Sequence, residues 1–264
     1  MKIYIYFLIK LKCTVVRFVV ICLFLFSNFN LYSQPSFIEV QKSFPIVTEV
    51  IQTKEDTLKS QFAKGNLQWP PKELYIRSFK YDSQLEVWAR NTSNEPFKLF
   101  KSFRICALSG TLGPKRMQGD YQVPEGFYYV NIFNPKSNYH LSLGLNYPNA
   151  SDNLLSDSLQ PGGDIYIHGN CITTGCIPIT DNQIEELYLL TAYAKSGGQD
   201  FIPVHVFPVK YNVIKSVSKL QEITKEDREY FLFSKKMKEV YDFFETNKKL
   251  PVISVNKKGE YIIL

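Results

Sequence analysis

Cysteine is scarce in this chain, and its count is odd. Of five in 264 residues, Cys13 and Cys22 fall among the first thirty-three, leaving Cys106, Cys171 and Cys176. Three thiols exclude a disulfide scaffold, and in an oxidising compartment the leftover one either pairs between molecules or is kept free for chemistry. There is no internal repeat. There is also no basic stripe interleaved with aromatics, so no nucleic-acid partner is implied. Gly162-Gly163 and Gly197-Gly198 lack the strand-to-helix context and the Lys or acidic partners of phosphate-binding loops, and read as turns. Disorder and fibres are set aside by composition, because 45% hydrophobic and 15% aromatic residues suffice for a full core.

The N-terminus differs from the rest. Lys2, Lys10, Lys12 and Arg17 lead into the apolar run Phe18 to Phe26, then Asn28-Phe29-Asn30-Leu31-Tyr32-Ser33. This is the pattern of a signal peptide over residues 1–33. Leu31 and Ser33 suit the positions three and one before a cleavage, which places the mature start near Gln34. The alternative is an uncleaved anchor, although the stretch Phe18 to Gln34 is short for a span and has a polar end. Either reading exports the body, and membrane contact is expected only through an uncleaved leader. Neither leader cysteine sits in a lipobox. Without the leader's basic residues the formal charge of +6 falls to about +2.

Periodicity divides the remainder. Residues 34–71 read as a lead-in with a short helix, stopped at Trp69-Pro70-Pro71. Residues 72–210 form the expected main domain, largely β. Period-two runs at Leu74 to Phe79, Leu85 to Arg90 and Phe97 to Phe103 predict antiparallel strands. Further strands are expected at Arg104 to Leu108, Gly126 to Ile132, His140 to Leu145, Asp164 to His168 and Pro203 to Phe207. Thr180 to Gln183 has capping-box spacing, and Ile184, Leu187, Tyr188 and Thr191 then share a helical face. Residues 211–264 are expected as an extension: an amphipathic helix from Lys225 to Thr246, then a hairpin turning at Asn256 to Gly259. The fold class is mainly β with flanking helices, α+β.

The stretch from Asp164 to Asp181 carries the chemistry. A strand ends at His168, a tight loop follows, and Gly175-Cys176 precedes a capped helix. Ile165 and Ile167 share one strand face and Tyr166 and His168 the other, so His168 can face a cleft. An imidazole beside a thiol converts it to the nucleophilic thiolate, so a meeting of His168 and Cys176 would make a base and a nucleophile. A depressed Cys176 pKa would mark a base in place. Gly175 permits a turn closed to other residues, and the Gly175 and Cys176 amides are candidate oxyanion donors. Cys171 either lines the cleft or pairs with Cys106 or Cys176. His168, Cys171 and Cys176 also offer three soft metal ligands, but no fourth ligand and no glutamate base beside His168 accompany them. No metal and no cofactor are expected. His140, Thr174 and Gly169 are candidate substrate contacts, with His140 reading equally as a hydrogen-bonded core histidine. His205, between two valines, reads as structural.

These residues resemble the L,D-transpeptidase catalytic domain (YkuD-type), whose motif is Ile-His-Gly followed by Ser/Thr-His-Gly-Cys. Ile167-His168-Gly169 matches the first part, and Thr173, Gly175 and Cys176 match three of the four in the second. Thr174 stands where the motif has histidine, Pro178 where an arginine commonly follows, and the connection is about half the usual length. These departures resemble the YafK-like branch. So do Gly113 to Asp120, Val123 to Gly126, Tyr139 to Pro148, and Thr180-Asp181 with Ile184-Glu185-Glu186. The resemblance implies a β-rich fold with a cleft where the thiolate attacks a carbonyl of a peptidoglycan stem peptide, next to diaminopimelate, forming a thioester. An amine acceptor then gives cross-linking, or water gives hydrolysis, as in relatives that release a wall-linked lipoprotein. A wall-binding protein without turnover is the reading from another class.

Overall fold

Runs of period two become strands, and runs of period 3.6 become the helices that cover them. The computed structural model describes residues 34–264, so the expected leader lies outside the described residues. In chain order the elements begin with α1 (Phe37–Lys42), α2 (Pro45–Lys64), β1 (Glu73–Phe79), β2 (Gln84–Arg90) and β3 (Lys98–Arg104). Next come β4 (Gly126–Asn134), β5 (Ser142–Leu145), α3 (Ala150–Leu155), β6 (Tyr166–His168), β7 (Ile177–Pro178) and α4 (Asp181–Ser196). The chain closes with β8 (Ile202–Phe207), α5 (Ile214–Thr224), α6 (Arg228–Asn247), β9 (Ile253–Val255) and β10 (Tyr261–Ile263). Residues Ser36–Leu264 make one unit, with β9 and β10 as a separate antiparallel pair.

The main sheet has eight strands in the order β3-β2-β1-β8-β4-β5-β6-β7. All neighbours are antiparallel except β1 with β8 and β6 with β7. Strand β1 lies inside the sheet and is covered on both faces, which explains its lack of exposed positions. Leu74 and Ile76 join a core with Val50, Leu58, Ile184 and Leu187 from α2 and α4. Tyr75 and Phe79 face the other way, against Phe244 and Tyr241 of α6. The result is a sheet between two helical layers, which is the α+β architecture read from the sequence.

Arg77 shares the α6-facing side of β1 and is only 3% exposed. Its charge is held by Glu86 and Glu245, each at 2.6 Å, with the guanidinium over the rings of Trp88 and Phe244. A charge this deep survives only when paired and hydrogen-bonded, so Arg77 ties α6 to the sheet. His205 on β8 is equally buried and meets the Tyr75 hydroxyl at 3.0 Å through Nδ1, as expected of a structural histidine.

Several boundaries differ from expectation. The short lead-in helix is two helices, α1 and the 20-residue α2, whose Val47, Val50, Leu58 and Phe62 form a buried stripe. The expected strand Arg104 to Leu108 stops at Arg104, because the Cys106 amide turns to donate to Pro178 O at 3.0 Å. His140 is not on a strand; it sits at φ 71°, two residues before β5. The expected helix from Lys225 starts at Arg228, where Asp227 caps it by accepting from the Tyr230 amide at 2.8 Å. Helices α3 and α5 had no sequence signal assigned. The stripe of α5 is thin, with only Ser216, Leu220 and Thr224 buried, and α3 spans six residues fixed by the Asn149 cap. The face Ile184, Leu187, Tyr188 and Thr191 is fully buried, and the final hairpin turns where expected. Among the described residues no helix is long and apolar enough to cross a membrane.

Candidate active site

Strands β5, β6 and β7 end the sheet, and their register places the candidate residues. His168 pairs with Ser142 across the antiparallel ladder and with Pro178 across the parallel one, where Ile167 also pairs with Ile177. Ile167 and Ile177 both point into the core, at 0% and 1% exposure. Side chains alternate along a strand, so Tyr166 and His168 share the opposite face, while Cys176 lies on the bend just before β7 with its sulfur against the Tyr166 amide. Cys176 is partly exposed and is the free thiol among the described residues.

The sulfur is held by backbone. Cys176 Sγ accepts from the Tyr166 amide at 3.4 Å and donates to Asp164 O at 3.5 Å. Among the described residues no hydrogen bond joins this sulfur to His168. Burial pushes the Cys176 thiol up, opposed by the Tyr166 hydrogen bond, reinforced by the Asp164 charge and opposed again by the Lys115 charge. The depressed thiol anticipated from an adjacent base is therefore not the resting state: desolvation of the thiolate outweighs the favourable neighbours.

His168 is 2% exposed. Its Nδ1 lies 2.5 Å from Gly169 O. A carbonyl only accepts, so Nδ1 carries the hydrogen and Nε2 keeps its lone pair. Among the described residues no hydrogen bond reaches Nε2. Burial holds the imidazole below its ordinary pKa against the raising effect of the Gly169 carbonyl, so it is neutral at pH 7. The Tyr139 ring lies on the imidazole, centroids 4.7 Å apart and planes inclined by 31°.

Glycine is required on both sides of the loop. A Cβ on Gly169 would come within 2.5 Å of Asp181 Oδ1 and 2.9 Å of Tyr139 O. Gly175 sits at φ 145° with Gln122 O 3.1 Å from where a Cβ would be. Thr173 fastens the turn, its hydroxyl accepting from the Gly175 amide at 3.1 Å and donating to Cys176 O at 2.8 Å. The Gly175 amide, expected as an oxyanion donor, thus faces Thr173 Oγ1. Asp181, on the first turn of α4, accepts from the Asn170 amide at 2.7 Å. Cys171 is disulfide-bonded to Cys106, which ties the loop to the segment after β3.

His140 lies beside Gly169, but its Nε2 is taken by Glu185 Oε1 at 2.8 Å. Thr174 is exposed on the loop, next to Gly175. With Cys171 bonded to Cys106, the triad His168, Cys171 and Cys176 is not free to ligate. Among the described residues no group of three or more His, Cys, Asp or Glu is placed to hold a metal. Tyr139 and Asp164 were given no role from the sequence, and Thr173 was named only as a motif match. Tyr139 and Thr173 lay within matching motif blocks, but their contacts with His168 and Cys176 depend on strand register.

The family model described as the L,D-transpeptidase catalytic domain, YkuD, matches residues 82–206. The putative L,D-transpeptidase YafK of Escherichia coli strain K12 is 31% identical over 195 residues, 72% of this chain and 73% of the relative, and that of strain O157:H7 matches equally. The chain belongs to the YkuD L,D-transpeptidase family. Among solved structures, the helical cell shape determining protein Pgp2 from Campylobacter jejuni has 17% identity over 77% of this chain and 80% of that one, TM-score 0.41. Bd1075 of Bdellovibrio bacteriovorus has 21% identity over 67% and 57%, TM-score 0.38.

Proposed function

We propose that this protein is an exported cysteine acyl-transfer enzyme acting on peptidoglycan stem peptides, with Cys176 as nucleophile and His168 as general base. One observation supports the reading: the free thiol among the described residues sits on the amide of Tyr166, two residues before His168 on the same strand, and the His168 imidazole is neutral with no hydrogen bond to Nε2 among the described residues.

The resting pair is neutral, so thiol deprotonation belongs to the reaction step. Nε2 takes the Sγ proton as sulfur forms its bond to the carbonyl carbon, and the carbonyl π pair moves to oxygen. For this, Sγ must give up its contact with Asp164 O and turn toward His168. The Cys176 amide, and the Gly175 amide once Thr173 releases it, would donate to the developing oxyanion. Collapse expels the amine, which receives the proton from Nε2 and leaves a thioester. An acceptor amine or water then attacks, its proton passing through Nε2, and the thiol is restored. His140, Thr174 and Gly169 are proposed to border the bound peptide. The Cys106–Cys171 bond suits an oxidising compartment such as the periplasm.

The test is to incubate the mature protein with muropeptides and identify products by mass spectrometry. Cross-linked or acceptor-exchanged peptide means transfer; water addition alone, with acceptor in excess, means hydrolysis of a diaminopimelate-linked amide such as a wall-lipoprotein link. Turnover surviving in Cys176→Ala would remove the mechanism, and binding of muropeptides without any turnover would select the wall-binding alternative.

A further inference from the structure

A chain of contacts leads from the N-terminal helices to the imidazole, and the proposed chemistry does not use it. Lys54 on α2 reaches the start of α4, donating to Asn182 and pairing with Glu185 Oε2 at 3.3 Å. Glu185 Oε1 holds His140 Nε2 at 2.8 Å. His140 is in the left-handed region, at φ 71°, which a non-glycine residue holds only when its surroundings fix it. That backbone angle determines where the preceding residue points, and the preceding residue is Tyr139. Its carbonyl rests on Gly169 while its ring covers the imidazole of the buried His168, although Tyr139 is itself 44% exposed. An aromatic ring so exposed gains little from its own burial, so its placement needs another cause.

We infer that Tyr139 is a positioning residue. Its ring, anchored through His140, Glu185 and Lys54, holds the His168 imidazole in the one orientation that keeps Nδ1 on Gly169 O, and so in one tautomer with Nε2 free to accept. The Nδ1 bond to Gly169 O fixes one edge of the imidazole, and the Tyr139 ring limits rotation about the remaining torsion. This makes the lead-in helices part of the support of the site. The inference rests on His168 being the base, but what it says of the imidazole can be read without turnover.

The experiment uses the mature protein with Tyr139→Ala, Tyr139→Phe and, as a second route to the same contact, Glu185→Ala. Nitrogen chemical shifts of His168 at neutral pH should show the Nδ1–H tautomer in the parent and in Tyr139→Phe. Tyr139→Ala should show a mixture with Nε2–H, and Glu185→Ala a smaller one. Under turnover, Tyr139→Ala should lose about ten- to hundredfold in kcat with KM within about twofold, and Tyr139→Phe should restore most of it. A raised KM with unchanged kcat would make Tyr139 a surface on which substrate stacks, and would overturn the inference. So would an unaltered His168 tautomer in both Tyr139→Ala and Glu185→Ala. Failure of the base assignment reads differently: His168→Asn would then turn over like the parent, whatever the nitrogen shifts of the Tyr139 variants.

Discussion

Cys106 and Cys171 are joined by a disulfide, with Cα atoms 5.4 Å apart, and that bond leaves Cys176 as the free thiol among the described residues. The cross-link spans a sequence separation of 65, so the chain-entropy model assigns it about 4 kcal/mol through the unfolded state. Urea unfolding of Cys106→Ser with Cys171→Ser should show a loss of roughly 2–5 kcal/mol. The non-reduced, unfolded mature chain should titrate one thiol with a chromogenic disulfide reagent, and Cys176→Ala none. Two or more thiols without reductant would contradict the pairing.

Gly175→Ala should be more damaging than a surface substitution. The new methyl group meets the Gln122 carbonyl at 3.1 Å in a backbone region that side chains rarely adopt. Relief of that strain shifts the Thr173 clamp and the Cys176 backbone with it. The expected cost is about 1–3 kcal/mol in thermal unfolding, with kcat falling by about tenfold or more because the nucleophile is displaced. Parent-like kcat in a Gly175→Ala protein would show that the turn does not set the position of the sulfur.

His205 predicts a pH dependence of stability that has nothing to do with activity. Burial pushes its imidazole down to about 3, with the Arg77 charge acting the same way. Its folded pKa lies below the unfolded value, so the unfolded state binds more protons as pH falls from about 6.5 towards 3, and stability declines over that window. Near pH 5 the shortfall is about 2 kcal/mol. His205→Gln keeps a partner for Tyr75 and removes the titration. Its stability loss between pH 7.5 and pH 5 should therefore be smaller than the parent's by about that amount. Asp152 acts oppositely, since burial raises it to about 6 and favours the folded state at lower pH, so the comparison must be parent against variant. Equal losses in the two would show that His205 titrates normally.

Much of the fold was legible because burial wrote it into the alternation of residues. The β1, β2 and β3 runs and the α4 stripe followed directly. Helices α3 and α5 were not legible: one is six residues held by the Asn149 cap, and the other buries only three residues. At the site, the His168 and Cys176 motif was visible in the order of residues. The Tyr139 ring on His168 was not, nor was the Asp164 carbonyl under Cys176, because both are set by strand register and by left-handed angles at His140 and Asp164. Cys171 had three open fates, and only the position of the loop decided among them.

The last prediction concerns the resting protonation of the pair. Many nucleophilic cysteines rest as thiolates beside an imidazolium, and react with alkylating agents at neutral or acid pH. Here burial moves the two groups apart instead, the Cys176 thiol upward and the His168 imidazole downward. Both shifts disfavour charge, so the neutral pair is the ground state and substrate must be present for the proton to move. Alkylation of Cys176 by iodoacetamide should therefore be slower than that of a small free thiol throughout pH 6–8, and should rise only in the alkaline range. The acid limb of kcat/KM, which reports protonation of His168 in the free enzyme, should fall below the ordinary imidazole value, so that activity persists at mildly acid pH. His168→Asn should leave the alkylation profile nearly unchanged while abolishing turnover, since the imidazole does not hold the thiolate at rest. Fast alkylation near pH 6 that disappears in His168→Asn would show a resting ion pair and overturn this order of events.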